Sequence, residues 1–571
     1  MARRESAFPR SHALYHIHNH QVNGLYCITS QNNHNLISKF HIYTRSIILA
    51  MAGIVQEYKI PLNQPDDCDN SKYAAEVKNE IIKNGIVRPT GYNVSFHINP
   101  MVEKHHFGRS HPMKPWRLTL AKGLIMAYGM HAAMDTFASR RATQEELEEF
   151  HTHEYLEYLK TAKVGLPDED DNKPYNLGSY DCPVFDGLFN YCSIYSGASI
   201  DAARKLCNEE SDIAINWSGG LHHAKKSEAS GFCYVNDIVL AILQMLRRYP
   251  RVLYIDIDVH HGDGVEEAFW SSGRVMTVSF HKYDPINFFP GTGGLDETGP
   301  KSEINPGAHH AVNVPLNDGI DDDQYLRVFK QVISKCNEKF RPSAIVLQCG
   351  ADSLAGDRIG TFNVLVQGHG ACVEYIKTLN LPLMLVGGGG YTPRNVARAW
   401  TNETSIAIGA KLHEELPLHT PYRSHFRDQS LYPDLTELLA AKGQTGAKRN
   451  HNTEKKINDI VSSIHEQLRF VEHAPSVQSQ QIPPDLTAWK QEVDDKIREE
   501  REEEESFRLQ KEEGLGVLRE YGVKTVIPEL LDVAFFDGIE SHGKTQLPWP
   551  WQQVGRHKFG DCKTVTLFKI Y

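Results

Sequence analysis

Arg251-Val-Leu-Tyr-Ile-Asp-Ile-Asp-Val-His260 is an apolar run that turns ionisable at its end. Val252–Asp258 reads as a buried strand. Side chains alternate along a strand, so positions 256, 258 and 260 share one side and converge at its carboxyl end. A buried carboxylate costs several kcal/mol unless a cation or hydrogen-bond donors compensate it. A cation is the economical reading of two carboxylates and an imidazole placed together, and the competing reading is that they cap a helix starting near Asp263.

Outward from this strand the texture repeats. Ile213–Trp217, Val275–Phe280, Ala344–Gln348 and Leu383–Val386 are further short apolar runs, each closed by a polar or glycine-rich loop, and Asn236–Arg248 has a helical pattern. Continuous apolar strands alternating with helices predict an α/β fold with a parallel sheet covered on both faces. Ligands of such sheets bind beyond the strands' carboxyl ends. Asp352 closes Ala344-Ile-Val-Leu-Gln-Cys-Gly-Ala-Asp352 and completes a set of two carboxylates and one imidazole. That set suits Zn²⁺, although Fe²⁺ and Mn²⁺ accept similar ligands. Three protein ligands leave room for water and substrate, as catalytic metal sites do.

Two more strand ends carry chemistry. His222 and His223 follow Ser-Gly-Gly-Leu, with Asp256 and Asp263 available as carboxylates that fix an imidazole's tautomer and raise its basicity. Tyr391 follows four glycines, Gly387 to Gly390, and its hydroxyl can donate to a carbonyl oxygen that becomes negative. A phosphate-cradling loop is the rival reading there, but neither GxGxxG nor GxxxxGK[ST] is present.

Taken in order, His111-Pro-Met-Lys-Pro, Tyr180-Asp-Cys-Pro, Gly219-Gly-Leu-His-His-Ala-Lys-Lys, Gly231-Phe-Cys-Tyr, Asp256-Ile-Asp-Val-His-His-Gly-Asp-Gly, Phe289-Pro-Gly-Thr-Gly, Gly350-Ala-Asp and Gly387-Gly-Gly-Gly-Tyr resemble the class I histone deacetylases over about residues 91–425. The resemblance implies an arginase/deacetylase-like fold, a central mostly parallel sheet with helices on both faces. It implies zinc on Asp258, His260 and Asp352, His223 as general base and acid, His222 as its electrostatic partner, and Asp256 and Asp263 as the carboxylates orienting them. Tyr391 would stabilise the oxyanion as an acetamide is hydrolysed to lysine and acetate. Phe232 and Phe289 match the aromatic walls of the acetyl-lysine channel, beside Gly231, and Asp181 matches the rim carboxylate that holds the substrate backbone.

The resemblance also implies structural K⁺ on groups of Asp256, Asp258, His260, Ser279 and Phe280. A second K⁺ site is less well matched, because His310 stands where relatives commonly carry tyrosine. Lys114, Arg358 and Arg394 match residues that hold an inositol polyphosphate in corepressor-bound relatives, although Ser110 replaces a glycine nearby. Acetylated histone tails or other acetylated proteins are then the substrates, corepressor subunits the partners, and the nucleus, with the cytoplasm as an alternative, the location. Deacetylases of acetylated polyamines, a metal-retaining chromatin scaffold without activity, and manganese ureohydrolases share parts of the pattern.

Length and composition set bounds around this domain. The 571 residues carry 61 basic and 72 acidic groups, a net of −11, which argues against gripping nucleic acid through a global positive field. No direct sequence-specific DNA binding is expected. Ten cysteines without a CxxC pair read as reduced thiols, and the apolar run Ile47–Val55 is too short to span a membrane, so no membrane association is expected. Residues 1–90, with six histidines in the first 41, read as an irregular extension. Residues 91–430 read as the catalytic domain and 431–571 as a tail, in which the charged run Lys490–Glu513 suggests a solvated helix or disorder.

Overall fold

β1 (Val94–Ile98), β2 (Asp135–Ala138), β3 (Ile213–Asn216), β4 (Val252–Asp256), β5 (Val275–Lys282), β6 (Ala311–Leu316), β7 (Ala344–Gln348) and β8 (Leu383–Val386) form one sheet in the order β2-β1-β3-β8-β7-β4-β5-β6. Every pairing is parallel. This is the computed structural model of the chain, and it describes residues 70–165, 173–440, 447–471 and Arg498. The chain divides into two units, Met1–Ala474 and Pro475–Tyr571, and all described residues except Arg498 belong to the first.

The central strands are buried along their whole length, which is why they read as continuous apolar runs. In register, Asp256 faces Gln348, Gln348 faces Val386, and Val386 faces Asn216. The carboxyl ends of β4, β7, β8 and β3 are therefore level, and the loops leaving them meet over one patch. No helix among the described residues is long and apolar enough to cross a membrane.

Three strands escape the sequence reading. β1 carries Ser95 and His97, and β2 is four half-buried residues. β6 contains Asn313 and Pro315, which reads as a loop. Proline is tolerated because β6 pairs only with β5 and lies at the sheet's edge.

The domain limits move outward at both ends. Within the supposedly irregular first 90 residues, Asn70–Lys83 is a helix with Tyr73 and Val77, one turn apart, buried. Residues 1–69 lie outside the described residues. At the other end the fold continues past 430 through the helices Leu435–Ala440 and Glu454–Gln467. Ile457, Ile460, Ile464 and Leu468 form a helical stripe, buried where that helix packs on the helix Asp322–Phe340 and on β6. The stripe is short and polar loop residues precede it, which hid it. The run Lys490–Glu513 lies outside the described residues apart from Arg498.

Candidate active site

β4 ends at Asp256, but Ile257 N still donates to Gln348 O (3.1 Å) and Lys282 N to Val259 O (2.9 Å). The alternation thus persists, and side-chain acceptors tighten it: Asp258 N donates to Asp256 Oδ1 (3.1 Å) and His260 N to Asp258 Oδ1 (3.0 Å). Asp352 enters from the turn Ala351–Ser353 after β7, where its Oδ1 accepts from Val259 N (2.9 Å). One ligand atom from each of Asp258, His260 and Asp352 lies within 4.8 Å of the others, and all three residues are buried. His260 Nδ1 sits 3.0 Å from Asp258 Oδ1 and 3.1 Å from Asp352 Oδ2.

Burial, and then the Asp258 charge, raise the pKa of Asp352, while histidine charges hold Asp258 low against the cost of burial. Two carboxylates packed around one imidazole without exposure are a donor set that fits a divalent cation. The capping alternative fails on geometry. The helix Asp263–Phe269 is preceded by Gly262 and has no side-chain cap.

The loop after β3 is pinned by Asp237, whose Oδ1 and Oδ2 accept from the amides of Leu221 (2.9 Å) and Gly220 (3.0 Å). This presents two histidine–carboxylate pairs. His222 Nδ1 bonds Asp256 Oδ2 (2.7 Å), which also accepts from Tyr254 Oη (2.5 Å). His223 Nδ1 bonds Asp263 Oδ1 (2.7 Å), whose Oδ2 holds the Lys225 ammonium (2.6 Å). The imidazole centroids are 3.9 Å apart, yet their environments differ. Burial disfavours the charge on His222, but Asp256 and Asp258 outweigh it and raise its pKa to about 9. Burial and the charge of His222 together push His223 down to about 3, against the pull of Asp263. The surroundings thus favour the charged form on His222 and the neutral form on His223.

Tyr391 is placed by Asp357, whose Oδ2 accepts from the amides of Tyr391 (2.6 Å) and Thr392 (3.1 Å). The glycines ahead of it are sterically required, since a Cβ on Gly389 would lie 2.0 Å from Asp352 Oδ2. Burial, then the Asp352 and Asp258 charges, hold the phenol's pKa far above its usual value, so it stays a donor. Phe232 meets Tyr391 edge-on at 5.7 Å, and Phe289 meets His223 edge-on at 4.9 Å with its outer part in solvent (44% exposed). Gly231 lies between them with φ +51°, and a Cβ there would stand 2.4 Å from the His223 ring and 2.8 Å from Phe289. Asp181 Oδ2 accepts from Gly231 N (2.8 Å), so this carboxylate braces the backbone between His223 and Phe232.

Ser279 is level with Asp256 across β4 and β5, and its Oγ lies 2.9 Å from His281 Nδ1. Phe280 is buried beside it. Buried His310 turns its Nδ1 to Ala308 O at 2.7 Å. The basic trio is less unified than its sequence match. Lys114 Nζ donates to Gly108 O (2.8 Å) and Arg109 O (2.9 Å) and lies within reach of the Arg358 charge, whereas Arg394 is influenced by Arg427.

Sequence reasoning missed the braces. Buried Arg117 donates through Nη1 to Gly390 O (2.7 Å) and through Nη2 to Gly388 O (2.5 Å), fixing the loop that carries Tyr391. Gln348 Nε2 and Gly389 N hold Asp258 Oδ2 at 2.9 and 2.8 Å. Asp237, Asp357 and Lys225 complete this set. Only Asp357, five residues beyond Asp352 in a glycine-rich loop, carried a local sign of its role.

Comparison with known proteins gives a concordant result. The family model described as "Histone deacetylase domain" matches residues 111–407. The chain is 50% identical over 398 residues to histone deacetylase 9 of Arabidopsis thaliana, covering 69% of this chain and 89% of that protein. It is 50% identical over 394 residues to histone deacetylase B of Dictyostelium discoideum, covering 69% and 90%. With human histone deacetylase 1 it shares 48% identity over 398 residues, covering 69% and 79%.

Proposed function

The chain belongs to the histone deacetylase family, as a class I member, and on that premise we propose how its buried centre frees lysine from its acetyl group. It is a hydrolase acting on N6-acetyl-lysine of histones, with a role in chromatin and transcription. Asp258, His260 and Asp352 would hold a zinc ion, which when bound would supply Lewis-acid chemistry at the acetyl carbonyl and at water.

The chain's own groups do the rest. Phe232 and Phe289, beside Gly231, would flank the lysine stem, with Asp181 taking the substrate backbone; the packing of Phe232 on Tyr391 and of Phe289 on His223 supports this. His223 accepts from nothing at Nδ1, because Asp263 takes that N–H, so Nε2 is the lone pair that removes a proton from the attacking water. His222, kept positive by Asp256, stabilises negative charge gathering beside it. The Tyr391 phenol donates to the oxyanion, and His223 returns the proton to the departing amine.

The observation that carries this reading is the placing of two histidine–carboxylate pairs, His222 on Asp256 and His223 on Asp263, next to a buried donor set for a metal. His223→Ala and Tyr391→Phe are each expected to keep bound zinc and to lower kcat on an acetylated histone peptide by roughly 10²-fold or more. Unchanged turnover in both refutes the assignment. Preference of the wild-type protein for an acetylated polyamine over the peptide refutes the substrate class.

The proposal extends to K⁺ beside the zinc, on Asp256, Asp258, His260, Ser279 and Phe280, supported by the level register of β4 and β5. It extends also to an inositol polyphosphate on Lys114, Arg358 and Arg394, supported by the charge of Arg358 acting on Lys114. Acetylated proteins other than histones, corepressor subunits and a nuclear location belong to the same reading.

A further inference from the structure

Behind the turn that carries Asp352 lies a buried acid–imidazole pair that the hydrolytic steps do not use. Glu403, on the helix Pro393–Ile408, and His369, on the helix Val366–Lys377, both have 0% side-chain exposure, and Glu403 Oε1 is bonded to His369 Nδ1. The other ring nitrogen, Nε2, lies 3.0 Å from Gly350 O. A carbonyl oxygen only accepts, so Nε2 must carry a hydrogen. Nδ1 and the carboxylate then share one further proton, and the pair is neutral as a unit whichever partner holds it.

The same helix acts one residue earlier. Trp400 Nε1 donates to Cys349 O at 2.9 Å. The last two carbonyls before Ala351 and Asp352 are thus both held from Pro393–Ile408, one directly and one through His369. The turn they fix touches the other carboxylate ligand: a Cβ on Gly350 would stand 2.1 Å from Asp258 Oδ2. Where the backbone sits at Gly350 therefore bears on how far apart Asp258 and Asp352 stand, alongside the bonds from Val259 N, Gln348 and Gly389 N.

We propose that His369 and Glu403 are positioning residues of the metal centre, which anchor the Gly350 carbonyl and so hold Asp352 at the separation from Asp258 and His260 that a divalent cation requires. The inference rests on the reading of Asp352 as a ligand. A buried polar pair is seldom favoured over two apolar side chains of the same volume. Its place here is explained by a task that apolar side chains cannot do, which is to satisfy and locate a buried carbonyl oxygen.

The test is the zinc affinity of the full chain, measured by competition with a chromogenic chelator, alongside thermal unfolding of the zinc-free protein. His369→Gln sets an amide nitrogen about where Nε2 stood and keeps a donor for Gly350 O, whereas His369→Asn sets its amide near Nδ1 and leaves that oxygen unpaired. Metal-ligand supports typically change affinity by roughly 10- to 100-fold, so the Asn variant should weaken zinc by about that factor and the Gln variant by no more than about threefold. The apolar double variant H369L/E403L should unfold zinc-free near the wild-type temperature yet bind zinc as weakly as the Asn variant. Equal affinities in the Gln and Asn variants, or wild-type affinity in the double variant, overturn the proposal. Asp352→Ala belongs in the same series: a marked loss is expected, and wild-type affinity there would overturn the ligand assignment itself.

Discussion

Replacing Asp263 by asparagine keeps its shape but should reverse the tautomer of His223, and the reason lies in Lys225. Asp263 Oδ1 accepts from His223 Nδ1 at 2.7 Å while Oδ2 receives the Lys225 ammonium at 2.6 Å. An asparagine amide has one oxygen to offer, and the ammonium can only donate. The amide therefore turns its oxygen to Lys225 and its NH₂ to His223 Nδ1, which moves the imidazole proton to Nε2 and removes the base. Hydrogen bonds to charged groups are worth about 1.5–3 kcal/mol, so the wrong orientation outweighs the right one by roughly 10- to 100-fold. Loss of the carboxylate beside the forming imidazolium adds about 4 kcal/mol at most, taking the charges about 4 Å apart in an effective dielectric of about 20. Together these place the fall in kcat at about 10³-fold or more, comparable to the consequence of a misplaced tautomer in serine proteases. Lys225→Gln in the same chain removes the selector, because a glutamine amide can face asparagine either way. The double variant D263N/K225Q should then recover roughly tenfold or more over D263N alone. The assay is kcat on an acetyl-lysine peptide at matched zinc content. Activity of D263N within tenfold of wild type, or a double variant no faster than D263N, refutes the reasoning.

Two further perturbations address the scaffold. Glu146 accepts from Arg140 (2.6 and 2.7 Å), Arg204 (2.7 Å) and Thr143 N (2.8 Å), which outweigh the cost of its burial and hold its pKa at about 2, below the ordinary 4.5. A depressed carboxylate pKa stabilises the fold above its unfolded value and loses that effect as pH falls toward the folded one. Glu146→Gln should thus be less stable than wild type near pH 7 by roughly 1.5–3 kcal/mol, with the gap narrowing below pH 4.5 in urea titrations; a gap that widens on acidification contradicts this. A fragment ending at 430 would expose the faces that cover Ile457, Ile460, Ile464 and Leu468. Loss of even two such burials costs about 3–6 kcal/mol, so this fragment should melt roughly 5 °C or more below one ending at 471, and equal melting would show the helix Glu454–Gln467 to be dispensable.

The sheet's centre was legible because β4, β7 and β8 are buried on both faces and must be apolar throughout. β1 and β6 were not, since burial there is shared with polar side chains whose partners the apolar pattern does not show: His97 bonds Ser95 within β1, and Asn313 bonds Glu266 and Glu297 O from distant segments. The reactive groups stood out for a related reason. An acid or imidazole at the end of an apolar strand is costly to bury, so its presence demands an explanation at that position, and Asp256, Asp258, His260 and Asp352 each announce one.

The braces announce nothing, because their logic is not local. Arg117 lies in a helix 271 and 273 residues from the carbonyls it holds, and a single arginine in an amphipathic pattern reads as solvated surface. Glu403 and His369 likewise read as polar positions on two helices, 34 residues apart, and become a unit only when the two helices pack against each other. A site built this way divides its labour unevenly between what sequence displays and what folding supplies. Reactive atoms are confined to strand ends, where the sheet levels them within about one residue spacing. The sub-ångström placement that a metal needs comes from backbone oxygens and amides at Gly350, Gly388, Gly389 and Gly390, which have no side-chain identity to betray them. Residues that hold such atoms are under a steric and hydrogen-bonding demand rather than a chemical one. For this reason Gln348, Arg117 and His369 are recognisable only by what they touch, and substitutions at them should disturb metal geometry before they disturb the fold.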